Sequence, residues 1–303
     1  MKAEIESASN CALCREGKTL RNSHIIPKFV WKYLKESAGA GGFRIGTNPN
    51  KPVQDGFKEK LLCSDCEQKL GRWENSTAKQ IFLPMMKKGG GRFCYDDNFS
   101  HFCVSITWRI LTCFKNLNQL KHMSPAASTW CNIAEESWRN HMQFDGHIDS
   151  QFEHHFLPIP AGPATPTKLQ NTPPNINRYL SRSIDMDVVA VGPDSGIVYA
   201  KLCRLLIIGF INISPPHGYK GTKLTYGNGR ARNKKFELPA ELGDYMMLKA
   251  KKMLALQRNM SDGQKSKIAD KTKIHADEIA KSANFEAMMF DVNTFGAAAF
   301  DND

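Results

Sequence analysis

The chain has 303 residues, 41% of them hydrophobic, and a formal net charge of +11. That length predicts two domains at roughly 100 to 200 residues each, with enough apolar content to bury a core. No run approaches the ~18 uncharged apolar residues of a membrane span, and the opening MKAEIESASN has no apolar signal core, which argues against membrane and secreted classes and predicts a cytoplasmic protein.

Taken in chain order, the first informative stretch is CALC, Cys11 to Cys14, followed by SHIIP, Ser23 to Pro27, and then by LLCSDCEQKLGRWE, which carries Cys63 and Cys66. Two residues between paired cysteines let both thiolates turn toward one ion, and two such pairs complete a tetrahedral zinc site. With Cys11, Cys14, Cys63 and Cys66 all used, no position is left for water, so the expected Zn2+ is structural. The other cysteines, Cys94, Cys103, Cys113, Cys131 and Cys203, follow no spacing and read as reduced, mostly buried thiols.

Between the pairs, Phe29, Val30, Tyr33 and Leu34 recur at helical spacing and predict a short helix after Pro27, stopping at the glycines before Phe43. Lys28, Lys32 and Lys35 on that helix are candidates for contacting a phosphate backbone. Residues 1–92 hold 17 Lys and Arg against 9 Asp and Glu, so the end expected to bear zinc is also the basic end, and nucleic acid is the expected partner.

The order Cys-x-x-Cys, a strand histidine with a proline close behind, then Leu-Cys-x-x-Cys opening a helix, resembles the four-cysteine, treble-clef branch of the HNH (ββα-metal) endonucleases. The matching residues are Cys11, Cys14, His24, Pro27, Leu62, Cys63 and Cys66. The resemblance covers the first quarter of the chain. It implies that His24 is the general base that activates water, and that a divalent ion, Mg2+ or Mn2+, stabilises the developing charge. Ser23 stands where that family has Asp, no clear counterpart of its central Asn exists, and Glu67 follows the last cysteine in place of His or Asn. Candidate oxygen ligands for the divalent ion are therefore Asp55, Glu67 and Glu74, with Glu67 also a candidate catalytic residue. The two glutamates lie seven residues apart, about two helical turns, and read equally as a solvated helix face.

Beyond Pro84 and the KKGGGR run the helix is expected to break, which places the boundary between a zinc-stapled module, residues 1–90, and a second domain, residues 91–303. No Lys-Ser or Lys-Thr follows the glycines, which excludes a nucleotide P-loop. Helices are predicted over 98–120 and 126–142, with Arg109 pairing inward or pointing back toward the first module. His147, His154 and His155 read as solvent-facing residues ahead of a proline-rich connector.

DVVAV, IVYAKL and LLIIGFINI then predict strands, with Arg178, Arg182, Lys201 and Arg204 either on the surface or extending a phosphate track. The loop from Tyr219 to Lys235, with Arg230, Arg232 and Lys234, is a second candidate for nucleic acid. Helices follow over 239–258 and 261–282, and the last residues read as a mobile or docking tail.

The fold expected is α+β, a treble-clef module followed by a mostly helical domain with a small antiparallel sheet. Two functions fit. One is a metal-dependent HNH-like endonuclease acting on DNA in the first place, with bacterial restriction or phage defence as the setting the resemblance implies and an activating protein partner compatible with it. The other is a catalytically inactive, zinc-stabilised nucleic-acid or protein adaptor.

Overall fold

The computed structural model describes residues 9–39, 43–44, 48–88, 93–160, 162, 172–214, 218–231 and 236–299. It begins with a small hairpin, β1 (Ser9–Asn10) against β2 (Gly17–Lys18), whose tip carries the first cysteine pair. Strand β3 (Leu20–His24) leads through Pro27 into α1 (Lys28–Glu36), where the buried Val30 faces the core. After the short hairpin β4 (Phe43–Arg44) and β5 (Pro52–Val53), strand β6 (Lys58–Cys63) returns antiparallel to β3 and runs directly into α2 (Ser64–Thr77).

The β3–β6 ladder pairs Leu20 with Cys63 at one end and His24 with Lys58 at the other. Its register shifts between Arg21 and Asn22, so Leu61 is an extra residue on β6. Such a bulge turns a carbonyl out of the ladder. The Leu61 carbonyl accepts instead from the N–H of Ala12 at 3.0 Å, which docks the cysteine-bearing tip onto the strand.

Helix α2 does not stop at Pro84 as the sequence suggests. It widens into a π-helical turn over Ala78–Phe82 and continues as α3 (Leu83–Lys88). Local widening of this kind accommodates a residue that has no N–H to donate. The run from 89 to 92 lies outside the described residues.

Strand β7 (Phe93–Tyr95) precedes two long helices, α4 (Asp97–Asn116) and α5 (Pro125–Phe144). Asp96 caps α4 through the Phe99 N–H and Ser124 caps α5 through Ala127, a residue type and geometry that satisfy otherwise orphaned donors. Every residue of α4 from Phe99 to Cys113 is buried, so it is the central helix. Strand β8 (His154–Pro158), helix α6 (Ile176–Arg182) and strands β9 (Ile184–Ala190), β10 (Gly196–Leu202) and β11 (Leu205–Ile211) follow. They form an antiparallel sheet in the order β8-β11-β10-β9 that lies against α4.

Two features of this region differ from what the sequence suggests. His154 and His155 are 0% and 3% exposed and belong to a buried strand. Arg182, Lys201 and Arg204 are also buried, and Arg178 is ion-paired with Asp291 at 2.9 Å, so these four form no surface track for phosphate. Lys201 donates to the carbonyls of Leu180 and Cys203, and burial pushes its ammonium down to about 7.

Strand β12 (Gly229–Ala231) pairs with β7, and α7 (Ala240–Arg258) packs on the outer face of the sheet. The single helix expected over 261–282 is divided into α8 (Asp262–Ile274) and α9 (Ala276–Ala280) at His275. The tail is docked: α10 (Ala283–Phe295) places the buried Asp291 at the start of α6, where its carboxylate accepts from the N–H groups of Asn177 and Arg178. The result is a mixed helix and strand fold with small antiparallel sheets. One apolar core runs through Leu13, Leu62 and Phe82 as well as Phe99, Trp108 and Trp138. Among the described residues no helix is long and apolar enough to cross a membrane.

Candidate metal centre and histidine site

The tip of the first hairpin is a tight turn. Arg15 takes a left-handed backbone conformation, its N–H returning to the Cys11 carbonyl at 2.7 Å, while the Cys11 N–H reaches Glu16. This points the Cys11 and Cys14 side chains the same way. Cys63 is the last residue of β6 and the N-cap of α2, and Cys66 lies in the first helical turn. The four sulfurs all lie within 4.8 Å of one another, with Cys14 and Cys63 3.9 Å apart. A disulfide needs ~2 Å, whereas zinc at about 2.3 Å from each sulfur sets tetrahedral sulfurs roughly 3.8 Å apart. The donor set and its spacing fit a structural metal ion such as zinc.

The surrounding charges agree. Burial would raise the Cys11 thiol, but the N–H groups of Cys14, Cys63 and Leu13 outweigh it and hold it below its ordinary value; the Cys63 N–H lies 3.3 Å from the sulfur. Burial, then the Cys11 charge, push Cys66 strongly up. Four thiolates this close repel one another, and a divalent cation is what lets them ionise together. The turn is held from outside by α5, where Arg139 donates to the Leu13 carbonyl at 3.2 Å and pairs with Glu136, which also holds Arg15.

At the other end of the hairpin stands His24, its side chain 18% exposed. Its Nε2 is 2.8 Å from Asp55 Oδ1, and the same carboxylate accepts from the Gly56 N–H at 2.9 Å and pairs with Lys58 at 2.5 Å. Burial alone would raise the Asp55 carboxyl, but the Lys58 and His24 hydrogen bonds outweigh it and hold it well below the usual carboxylate range. In a neutral ring, the ionised Asp55 favours the tautomer with the proton on Nε2 and the lone pair on Nδ1. The loop is clamped by Trp31: a Cβ on Gly56 would fall 2.0 Å from the indole nitrogen, so only glycine fits there.

The candidate divalent-ion ligands are not gathered. Glu74 is ion-paired with the buried Arg109 at 2.8 Å, and Asp55 is engaged by His24 and Lys58. Glu67, half-buried on α2, forms no ion pair among the described residues. Ser23 is 1% exposed and its hydroxyl donates back to the Arg21 carbonyl at 3.4 Å. Among the described residues, the four cysteines are the one group of three or more His, Cys, Asp or Glu whose ligand atoms converge. As arranged, Asp55, Glu67 and Glu74 do not fit a shared Mg2+ or Mn2+.

Lys28 and Lys32 are exposed on α1, with Lys32 3.8 Å from Glu36, while Lys35 donates to Gln54 at 2.7 Å. Arg230 is exposed on β12, and Arg232 and Lys234 lie outside the described residues. Sequence reasoning missed the polar partners of the buried histidines. His154 bonds Thr107 at 2.7 Å and Tyr226 at 3.0 Å, and His155 bonds Thr222 at 2.8 Å and Glu153 at 3.0 Å. Burial holds His154 well below the ordinary histidine value. A separate cavity of 560 Å3 is lined by His147, Asp149, Glu153, Lys223 and Tyr226, and it contains none of the candidate site residues. No protein-family model, curated protein or solved structure matches this chain.

Proposed function

We propose that residues 9–88 form a zinc-stapled, treble-clef module of the HNH kind and that the protein hydrolyses phosphodiester bonds of nucleic acid, DNA in the first place. The observation that carries this reading is the His24–Asp55 pair at the loop end of the β3–β6 ladder. A general base needs a lone pair and a fixed orientation. Asp55 supplies the orientation by accepting from Nε2, and Nδ1 then takes a proton from water as the water oxygen bonds to phosphorus. The bridging P–O bond breaks, and the departing oxygen is protonated from solvent. Lys58, beside Asp55, contributes positive charge where a phosphate would approach. The cysteine cluster, away from this chemistry, shapes the hairpin.

A second reading, a nucleic-acid or protein adaptor without catalysis, is favoured by two features: Glu74 is taken up by Arg109, and the Ser23 hydroxyl faces its own strand.

The experiment is nicking of supercoiled plasmid by the purified full chain with Mg2+ or Mn2+, beside an EDTA control and His24→Ala, after zinc per chain has been counted by elemental analysis. A general base supplies about 100-fold to 10,000-fold. His24→Ala should lose at least ~100-fold in rate while keeping zinc, fold and DNA binding. An equally active His24→Ala protein removes His24 as the base, and zinc-loaded wild type that binds DNA without nicking it selects the adaptor.

A further inference from the structure

Arg109 lies in the middle of α4, and its side chain is 3% exposed. Each arm of the guanidinium has an acceptor. Nε donates to the Ser105 carbonyl at 3.2 Å and Nη2 to Ser105 Oγ at 3.4 Å, which ties the group to its own helix. Nη1 donates to the His24 carbonyl at 3.0 Å and pairs with Glu74 Oε1 at 2.8 Å. One rigid cation on α4 therefore holds the end of β3 and the second half of α2 at a single separation. Planar, always charged and presenting several donors in a fixed fork, arginine suits that task where lysine would not.

His24 is consequently held at three points. Arg109 grips its carbonyl, the next N–H, that of Ile25, donates to the Phe57 carbonyl at 3.2 Å, and Asp55 holds the ring. Three further buried arginines on the same side of the chain also reach main-chain carbonyls of the N-terminal part: Arg139 that of Leu13, Arg182 that of Leu34, and Arg204 that of Met85. Of these four, Arg109 is the one that contacts the strand bearing His24.

We infer that Arg109 is a positioning residue for His24, an inference that rests on reading His24 as the base. It touches no substrate. It fixes the main chain from which the imidazole is aimed at Asp55, and through that aim it sets which ring nitrogen carries the proton. Loss of the grip would let the strand end shift relative to the Asp55 loop, and displacements near 1 Å can cost about 100-fold in rate.

The test uses the full chain as wild type, Arg109→Lys, and the double variant Arg109→Met with Glu74→Gln. Changing both partners together leaves no uncompensated buried charge, so the double variant is expected to fold. Two readouts are taken: the 15N signals of the His24 ring, and single-turnover cleavage across DNA concentrations. Wild type should show one tautomer, protonated on Nε2. The double variant should show mixed tautomers and a maximal rate about 10-fold to 100-fold lower, with half-saturation within about twofold and zinc retained. Arg109→Lys should fall between.

A folded, zinc-loaded double variant with the wild-type ring pattern overturns the inference, whatever its rate. If the double variant does not fold, Arg109→Lys decides: mixed tautomers support the inference and an unchanged ring overturns it. A wild type that shows the single tautomer yet never cleaves removes the nuclease reading alone, because the ring comparison still tests the positioning.

Discussion

Leu20 faces Cys63 at one end of the β3–β6 hairpin and His24 faces Lys58 at the other, so four residues of strand, roughly 13 Å, separate two different kinds of site. At the sulfur end, the candidate ligands come from a tight turn, a helix N-cap and the first turn of that helix, and the set is complete in itself. At the histidine end, the ring depends on Asp55 from a loop, that loop depends on Trp31 packed over Gly56, and the strand depends on Arg109 from a distant helix. Both ends are braced by an arginine from a distant helix, Arg139 at the turn and Arg109 at the strand, but the four sulfurs form a complete donor set by themselves, whereas the His24 ring takes its orientation from a separate loop.

Removing a cysteine gives the largest expected effect. Cys63→Ser takes away a ligand that is also the N-cap of α2, and losing a structural metal belongs among the changes costing more than about 4 kcal/mol. Calorimetry should show melting lowered by roughly 10 °C or more, with zinc lost. If the variant retained wild-type melting, the sulfur end would not be the staple and the comparison would fail.

Asp55→Asn should act on the other end alone, lowering cleavage by about 10-fold to 100-fold, part of what a general base supplies, with zinc unchanged. It also changes the response to acid. Because the folded Asp55 carboxyl lies below its unfolded value of about 3.9, its ionised form stabilises the fold above that pH, and the contribution disappears as pH falls through the depressed folded value. Urea unfolding from pH 7 down to pH 2 should therefore show a shallower acid decline in the Asn variant than in wild type. Equal declines would mean that the Lys58 and His24 contacts contribute nothing to stability.

The smallest effect belongs to the surface. Replacing Lys28, Lys32 and Lys35 together by Ala should weaken DNA binding a few-fold and flatten the slope of log affinity against log salt by at most about 2.7, since each phosphate contact contributes roughly 0.9. Zinc content and the His24 ring should not change. An unaltered salt slope would show that any bound DNA lies against another face.

What was legible follows the same division. The cysteine cluster could be read from spacing because its geometry is set within a few residues on either side of each pair. Helices α1, α4, α5 and α7 and strands β9 to β11 announced themselves by apolar period. Strand β8 did not, because two histidines and a proline read as loop; its buried rings are satisfied by Thr107, Tyr226, Thr222 and Glu153, and only Glu153 is a sequence neighbour. The basic residues at 178, 182, 201 and 204 misled for a related reason. A cation's sign is visible in sequence, but the carbonyls and carboxylate that take it inward are not. Asp55 reads in sequence as an oxygen ligand for a divalent ion and stands in the fold against His24 and Lys58.

The four inward-reaching arginines also bear on how this chain can be cut and reused. A fragment ending near residue 88 would carry the cysteines and His24 intact, yet it would present the bare carbonyls of Leu13, His24, Leu34 and Met85 together with the apolar sides of Leu62 and Phe82 that now lie in the shared core. As an engineering part, the module is therefore a keystone and not a cartridge: grafted elsewhere, it needs a host surface offering guanidinium groups at those four places.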